Sequence, residues 1–206
     1  MDWLSEFQKN KKWTWTILRP QLVCGVAAGS PLNIIAAIGA FAAISREVGI
    51  PLRFPGGAER IGEATDARLI ARAVEWAGNS EIASNQIYNI TNGDVYIWHY
   101  VWPRVAELFD MEYGSPQPMS LAKLMPENAE VWSRIIEKHS LKNYSLAELI
   151  PSWRFADYIF GYGQRPNPHH MSNIKIRKHG FSDCIDTEQM VLELLQEMQS
   201  LRIIPR

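Results

Sequence analysis

The run Asn33-Ile-Ile-Ala-Ala-Ile-Gly-Ala-Phe-Ala-Ala-Ile44 is apolar nearly all round a helical wheel, and no other stretch limits the fold so strongly. A helix with one apolar stripe can lie on a surface, but one that is apolar on every side has to be enclosed on several. Its alanines and Gly39 let backbones or a ligand come close. Ser30-Pro31 reads as an N-cap followed by proline at the first helical position, and Gly49 as the stop, so the helix is predicted to run to about Val48. The most apolar part, Leu32 to Ile44, is too short and too near Arg46 and Glu47 to span a bilayer.

The flanks give this helix a sheet to pack on. Upstream, Trp13-Thr-Trp-Thr-Ile-Leu18 alternates at period two and predicts a half-buried strand, ended by Pro20. Gln21 to Gly25 then crosses a sheet edge into a loop, the kind of place where open sheets bind ligands. Downstream, Pro51 to Phe54 predicts a short edge strand broken by Pro55-Gly56-Gly57. Thr65-Asp66 can cap a helix from Ala67 to Ala77. Gln86 to Thr91 alternates as a strand, closed by the turn Asn92-Gly93-Asp94. A helix from Ile97 to Phe109 follows, with Pro103 predicting a kink or a late start.

Ser115-Pro-Gln-Pro118 reads as a linker between residues 1–114 and a mostly helical region, 115–206. In the latter, helices are predicted at Leu121–Met125, Glu127–His139, Leu146–Ile150, Ser152–Phe160, Met171–Lys178 and Thr187–Leu201, with a loop at Gly161–His170. At the other end, Asp2 to Asn10 predicts a short amphipathic helix with Trp3, Leu4 and Phe7 on one side. So much apolar surface on so short a helix points to a continuation upstream or to packing on another chain.

Charge removes several classes of function. With 21 basic against 22 acidic residues and a net charge of −1, the chain has no electrostatic footprint for nucleic acid or an anionic membrane. Cys24 and Cys184 are too few for a disulfide framework or a four-ligand zinc site, which favours a reducing, cytoplasmic setting. His169-His170 lacks further ligands at metal spacing, so no metal is expected. No P-loop, Gly-x-Ser-x-Gly elbow or Gly-x-Gly-x-x-Gly occurs. Glu63, Asp66 and Asp94 stand where caps and turns want carboxylates, and Cys24 reads as a small buried hydrophobe. Trp98, Trp102, Trp153, Phe155, Tyr158 and Phe160 line a pocket or fill a core. Residue chemistry alone yields an α/β chain without a complete catalytic constellation.

The order of short motifs says more. Thr14-Trp15-Thr16, Arg19-Pro20, Gly25, Ser30-Pro31, Leu32-Asn33, Ala42-Ala43-Ile44 and Pro51-Leu-Arg-Phe-Pro-Gly56 are followed by Tyr88-Asn-Ile-Thr-Asn-Gly-Asp94, Trp98, Trp102, Trp153-Arg-Phe155 and Lys178-His-Gly-Phe181. In this order the chain resembles the C-terminal half of an extended short-chain dehydrogenase/reductase of the NAD-dependent epimerase/dehydratase superfamily. The closest subgroup is that of progesterone 5-beta-reductase and iridoid synthase.

The resemblance implies the last strands and helices of a Rossmann-type parallel sheet plus a mostly helical substrate-binding lobe. It implies that the N-terminal dinucleotide-binding half, with its glycine fingerprint and working tyrosine, is missing. The chain then reads as a truncated or separately expressed C-terminal portion, with no catalytic residue of its own and little activity alone. Pro20, Gln21, Leu22 and Val23 match the segment against the nicotinamide ring, although Gln21 stands where the subgroup has Gly. Asn33, Phe41 and Phe155 match positions facing the substrate pocket, with Phe41 in place of a Tyr; packing is the alternative for each. NADP or NAD, held mainly by the missing half, is the implied cofactor, and a small carbonyl or enone compound the implied substrate. A nucleotide-sugar epimerase or dehydratase fragment, or a non-catalytic assembly module, stands as the alternative. A homodimer or another partner covering the exposed sheet edge is expected.

Overall fold

The computed structural model describes residues 2–164 and 170–206; Arg165 and His169 lie outside the described residues. The chain begins with α1 (Asp2–Gln8), β1 (Thr16–Pro20) and β2 (Val23–Cys24), followed by α2 (Ile34–Glu47) and β3 (Leu52–Arg53). Next come β4 (Ile61–Gly62), β5 (Thr65–Asp66), α3 (Ala67–Asn79), β6 (Gln86–Ile90), β7 (Tyr96–Ile97), α4 (Trp98–Leu108) and β8 (Tyr113–Gly114). Six helices complete it: α5 (Leu121–Leu124), α6 (Ala129–His139), α7 (Leu146–Leu149), α8 (Trp153–Phe160), α9 (Ile174–Lys178) and α10 (Thr187–Ser200). Among the described residues no helix is long and apolar enough to cross a membrane.

The sheet is built from parallel pairs. β1 runs beside β6 with Thr16 opposite Gln86 and Pro20 opposite Ile90. β2 pairs with β5 and β3 with β8, also parallel, while β4 and β7 pair antiparallel. Parallel neighbours joined through helices α2 and α3 are the βαβ arrangement expected for an α/β fold.

Helix α2 is enclosed as its composition requires: every residue from Ile34 to Ser45 is buried. It contacts α6, α8 and α10. At Gly39 an added Cβ would stand 2.6 Å from Ile204 Cδ1, so the Ile204 side chain would have to shift to admit one. Its start differs from expectation. The N-cap is Asn33, whose Oδ1 accepts from the backbone N–H of Ile35 (3.0 Å) and Ala36 (3.2 Å). Ser30-Pro31 forms the turn before it, because a residue that can both cap and brace the preceding loop wins the position. Asn33 Nδ2 donates to the carbonyls of Ala27 (2.6 Å) and Gly25 (3.3 Å), which serine has no group to do.

Three other boundaries shift. The first strand begins at Thr16 rather than Trp13, since its partner begins at Gln86. Pro20 is its last residue rather than its terminator. The helix placed at Met171 begins at Ile174, the chain before it being held by Met171 N–H donating to Glu63 Oε2 at 2.7 Å. Pro103 is carried inside α4. The segment expected to be a linker is tied down, with Gln117 N–H donating to Phe54 O (3.0 Å) and Met119 N–H to Pro55 O (2.9 Å). One apolar cluster runs from Cys24 to Ile204 across residues 114 and 115.

The turn Asn92-Gly93-Asp94 is a junction of three elements. Asn92 Oδ1 accepts from Asp66 N–H at 2.7 Å, and its Nδ2 donates to Thr187 Oγ1 at 3.0 Å. Asp94 accepts from Thr187 N–H (2.8 Å) and from Thr187 Oγ1 (2.6 Å). Asp66 caps α3 and is paired with Arg68 at 2.6 Å while itself fully buried. These carboxyl groups are committed to helix starts.

Candidate functional site

A cavity of about 240 Å³ opens where the chain leaves β1. Crevices beyond the carboxyl ends of parallel strands are where open α/β sheets bind ligands. One wall is Gln21 and Leu22; a second is the β4–β7 pair with its flanks, Arg60 to Glu63 together with Tyr96 and Trp98; the third is α8, through Phe155, Tyr158 and Ile159. Most of the lining is aliphatic or aromatic, with a few polar groups, the ordinary make-up of a small-molecule site.

Each polar group is positioned by a local cause. Arg60 Nη2 donates to the carbonyls of Tyr158 (2.6 Å) and Ile159, at the carboxyl end of α8. Its charge is thereby set against the negative end of a helix dipole. Glu63 is buried and accepts from Met171 N–H. Tyr96, 4% exposed, lies across Gly62, its cross-strand partner. A Cβ on Gly62 would stand 2.9 Å from the Tyr96 Cζ and 3.1 Å from its hydroxyl, so glycine there is what admits the ring. Trp98 meets Tyr96 edge-on at 4.9 Å and 83°. Burial pushes the Tyr96 phenol well above its ordinary pKa; Cys24 and Asp94 add to the rise, and Arg60 opposes it. The hydroxyl therefore stays protonated.

The sequence-derived candidates divide. Gln21, Leu22 and Phe155 line the cavity. Pro20 and Val23 flank the first two and are exposed. Asn33 has both ends of its amide bound to backbone, as the N-cap of α2. Phe41 is 4% exposed within the core around α2. Tyr96 and Arg60 were not singled out from sequence, and Glu63, read there as a cap or turn residue, lies in the cavity wall and accepts from Met171 N–H instead. The only signal available for Tyr96 was its place two residues after a turn and opposite a glycine, which becomes visible once the β4–β7 pairing is known.

Cys24 is buried and its thiol is pushed up to about 12, first by burial and then by Asp66, so it is no nucleophile. Trp98, Trp102, Phe160 and Phe54 form a set of edge-on contacts behind the cavity, with ring centroids from 5.1 to 6.0 Å apart. They fill core, while Trp98 also reaches the cavity. No cluster of metal ligands occurs among the described residues.

The profile of a family described as "PRISE-like Rossmann-fold domain" matches residues 1–187. An (S)-8-oxocitronellyl enol synthase of Nepeta cataria is 30% identical over 207 residues, covering 97% of this chain and 52% of that protein. A 3-oxo-Delta(4,5)-steroid 5-beta-reductase of Arabidopsis thaliana is 30% identical, covering 97% of this chain and 52% of its own length. Among solved structures, RMD from Pseudomonas aeruginosa complexed with NADPH superposes with a TM-score of 0.55 at 11% identity, over 95% of this chain and 52% of that one. UDP-glucose 4-epimerase of Thermotoga maritima does so with 0.53 at 13%, over 97% and 50%. The chain spans about half the length of the curated relatives it matches.

Proposed function

Because the chain belongs to the PRISE-like Rossmann-fold family, we propose that it is the substrate-binding portion of an NAD(P)H-dependent oxidoreductase acting on a small carbonyl or enone compound. The observation that carries this reading is the cavity at the carboxyl end of β1, walled by Leu22, Trp98, Phe155 and Ile159. Its volume suits a small apolar molecule, and the groups it offers suit a neutral one. Arg60 is turned to the carbonyls of α8, and Glu63 would repel a diphosphate. A nucleotide sugar is therefore a poor match for this cavity.

The lining fits one end of a nicotinamide cofactor. Gln21 and Leu22 would border the ring, with Pro20 and Val23 on either side. No glycine-rich phosphate loop is present in the sequence to hold a pyrophosphate. When bound, the cofactor supplies the hydride. This chain's residues enclose the substrate between α8 and the β4–β7 pair and exclude water, which strengthens the polar contacts made there. Both cysteines are free, in keeping with a cytoplasmic setting.

Among the described residues β1 is paired on one side only, and Trp3, Phe7 and Trp13 are exposed. We read this edge as the surface covered by the rest of the oxidoreductase or by a second copy. The test is to purify the protein from its native source, weigh it intact and assay it with NADPH, then NADH, against cyclohex-2-enone and simple aldehydes. Cofactor oxidation that depends on the enone or an aldehyde is the expected result. A native protein that oxidises neither cofactor, or that interconverts nucleotide sugars, overturns the reading.

A further inference from the structure

Besides Gln21 and the indole N–H of Trp98, four polar side chains line the cavity, and three of them are spent or marginal. Arg60 donates to two helix carbonyls, Glu63 offers a carboxyl group already accepting from Met171 N–H, and Tyr158 is 55% exposed at the rim. The fourth, Tyr96, is deep, and its ring is held from two directions. Gly62 leaves the space it occupies, and Trp98 stands edge-on against it. Gln21 is half-exposed on the loop after β1.

From this geometry we propose that the Tyr96 hydroxyl is the hydrogen-bond donor that holds the oxygen of a small neutral carbonyl ligand in the cavity beyond β1. The inference rests on the reading of that cavity as a substrate site. A donor serves here because the ligand oxygen is an acceptor only, and a phenol held protonated by burial cannot repel it. A fixed ring loses little freedom when it makes the bond, and an apolar surround strengthens it. The neighbouring carboxyl of Glu63 works against an anionic ligand, which narrows the class to neutral compounds.

The test uses the 206-residue chain, cyclohex-2-enone, and 3-methylcyclohexene as its hydrocarbon counterpart. Calorimetry gives the affinities, and infrared difference spectroscopy gives the C=O stretch of the bound enone. The wild-type chain is expected to bind the enone with its stretch lowered. Tyr96→Phe removes the hydroxyl and keeps the ring, so it is expected to weaken enone binding about tenfold, return the stretch to its apolar value and leave the hydrocarbon unaffected. An unchanged thermal midpoint shows that the variant is folded; if it is not, Gln21→Ala and Gly62→Ala serve instead. Gly62→Ala, which displaces the ring, then has to lose the shifted stretch and Gln21→Ala to keep it. Equal enone affinity and an unchanged stretch in Tyr96→Phe overturn the proposal and leave the cavity reading intact. A wild-type chain that binds neither compound overturns both.

Discussion

Helix α2 and strand β1 lie only 13 residues apart, from Pro20 to Asn33, yet they meet opposite conditions. On α2 every residue from Ile34 to Ser45 is buried, and contacts come from α6, α8 and α10. On β1 no residue is fully buried, only one edge is paired among the described residues, and Trp3, on the helix before it, is 71% exposed. The core around α2 is completed by the chain itself. The surface around β1 keeps one strand edge unpaired among the described residues and large apolar side chains in solvent.

The sharpest way to break this contrast is to cut into the self-sufficient side. Trp102 is fully buried in the cluster that holds α2, so Trp102→Ala should cost about 3–5 kcal/mol in a denaturant titration. Its Nε1 has no hydrogen-bond partner, so Trp102→Phe should cost much less, the lost volume being smaller and no bond being broken. Equal losses would mean that the indole N–H is satisfied in solution.

The next largest effect belongs to the seam between the two regions. Asn92→Ala strands the Asp66 N–H and removes a partner of Thr187 Oγ1, and should cost about 2–3 kcal/mol, mainly as the penalty for an unpaired buried group. A thermal shift that leaves α10 fully protected from hydrogen exchange would count against this junction.

Alkaline pH tests the same interior chemically. The Cys24 thiol is raised from 9.0 to about 12 in the folded protein. Between these values the unfolded chain loses the proton and the folded one keeps it, so stability should fall as pH rises above 9, by up to about 1.4 kcal/mol per unit. Cys24→Ala should flatten that slope between pH 9 and 10, below the range where Tyr96, Tyr88 and Tyr113, also raised by burial, add their own. A thiol reagent at pH 8 should modify Cys184 and spare Cys24 in the native state.

The smallest effect is expected at the open surface. Trp3→Ala or Phe7→Ala should change the stability of the isolated chain by less than about 0.5 kcal/mol. If either lowers it by more, that face is already covered in solution, and native mass spectrometry should show a second copy.

Much of the architecture could be read from residue pattern. α3 begins at Ala67, straight after its predicted cap Asp66, and α6, α7, α8 and α10 lie within two residues of their predicted limits. Local signals sufficed because propensity, periodicity and caps agreed at those places. The motif order also identified the family that the profile match and the curated relatives show. For the site, the sequence pointed to Gln21, Leu22 and Phe155, which line the cavity, assigned Glu63 to a cap or turn, and passed over Tyr96 and Arg60.

Composition and spacing by themselves determined that α2 would be enclosed, that β1 and β6 would be strands, and that Asp66 would cap α3. Only the tertiary structure decided that Asn33 displaces Ser30 as the cap, that Asp94 braces the start of α10 rather than its own turn, and that Tyr96 lines the cavity beyond β1. The physical reason is range. A helix face or a turn is settled by residues within about four positions of one another. The partners of Asn33, Asp94 and Tyr96 are chosen by where distant segments come to rest.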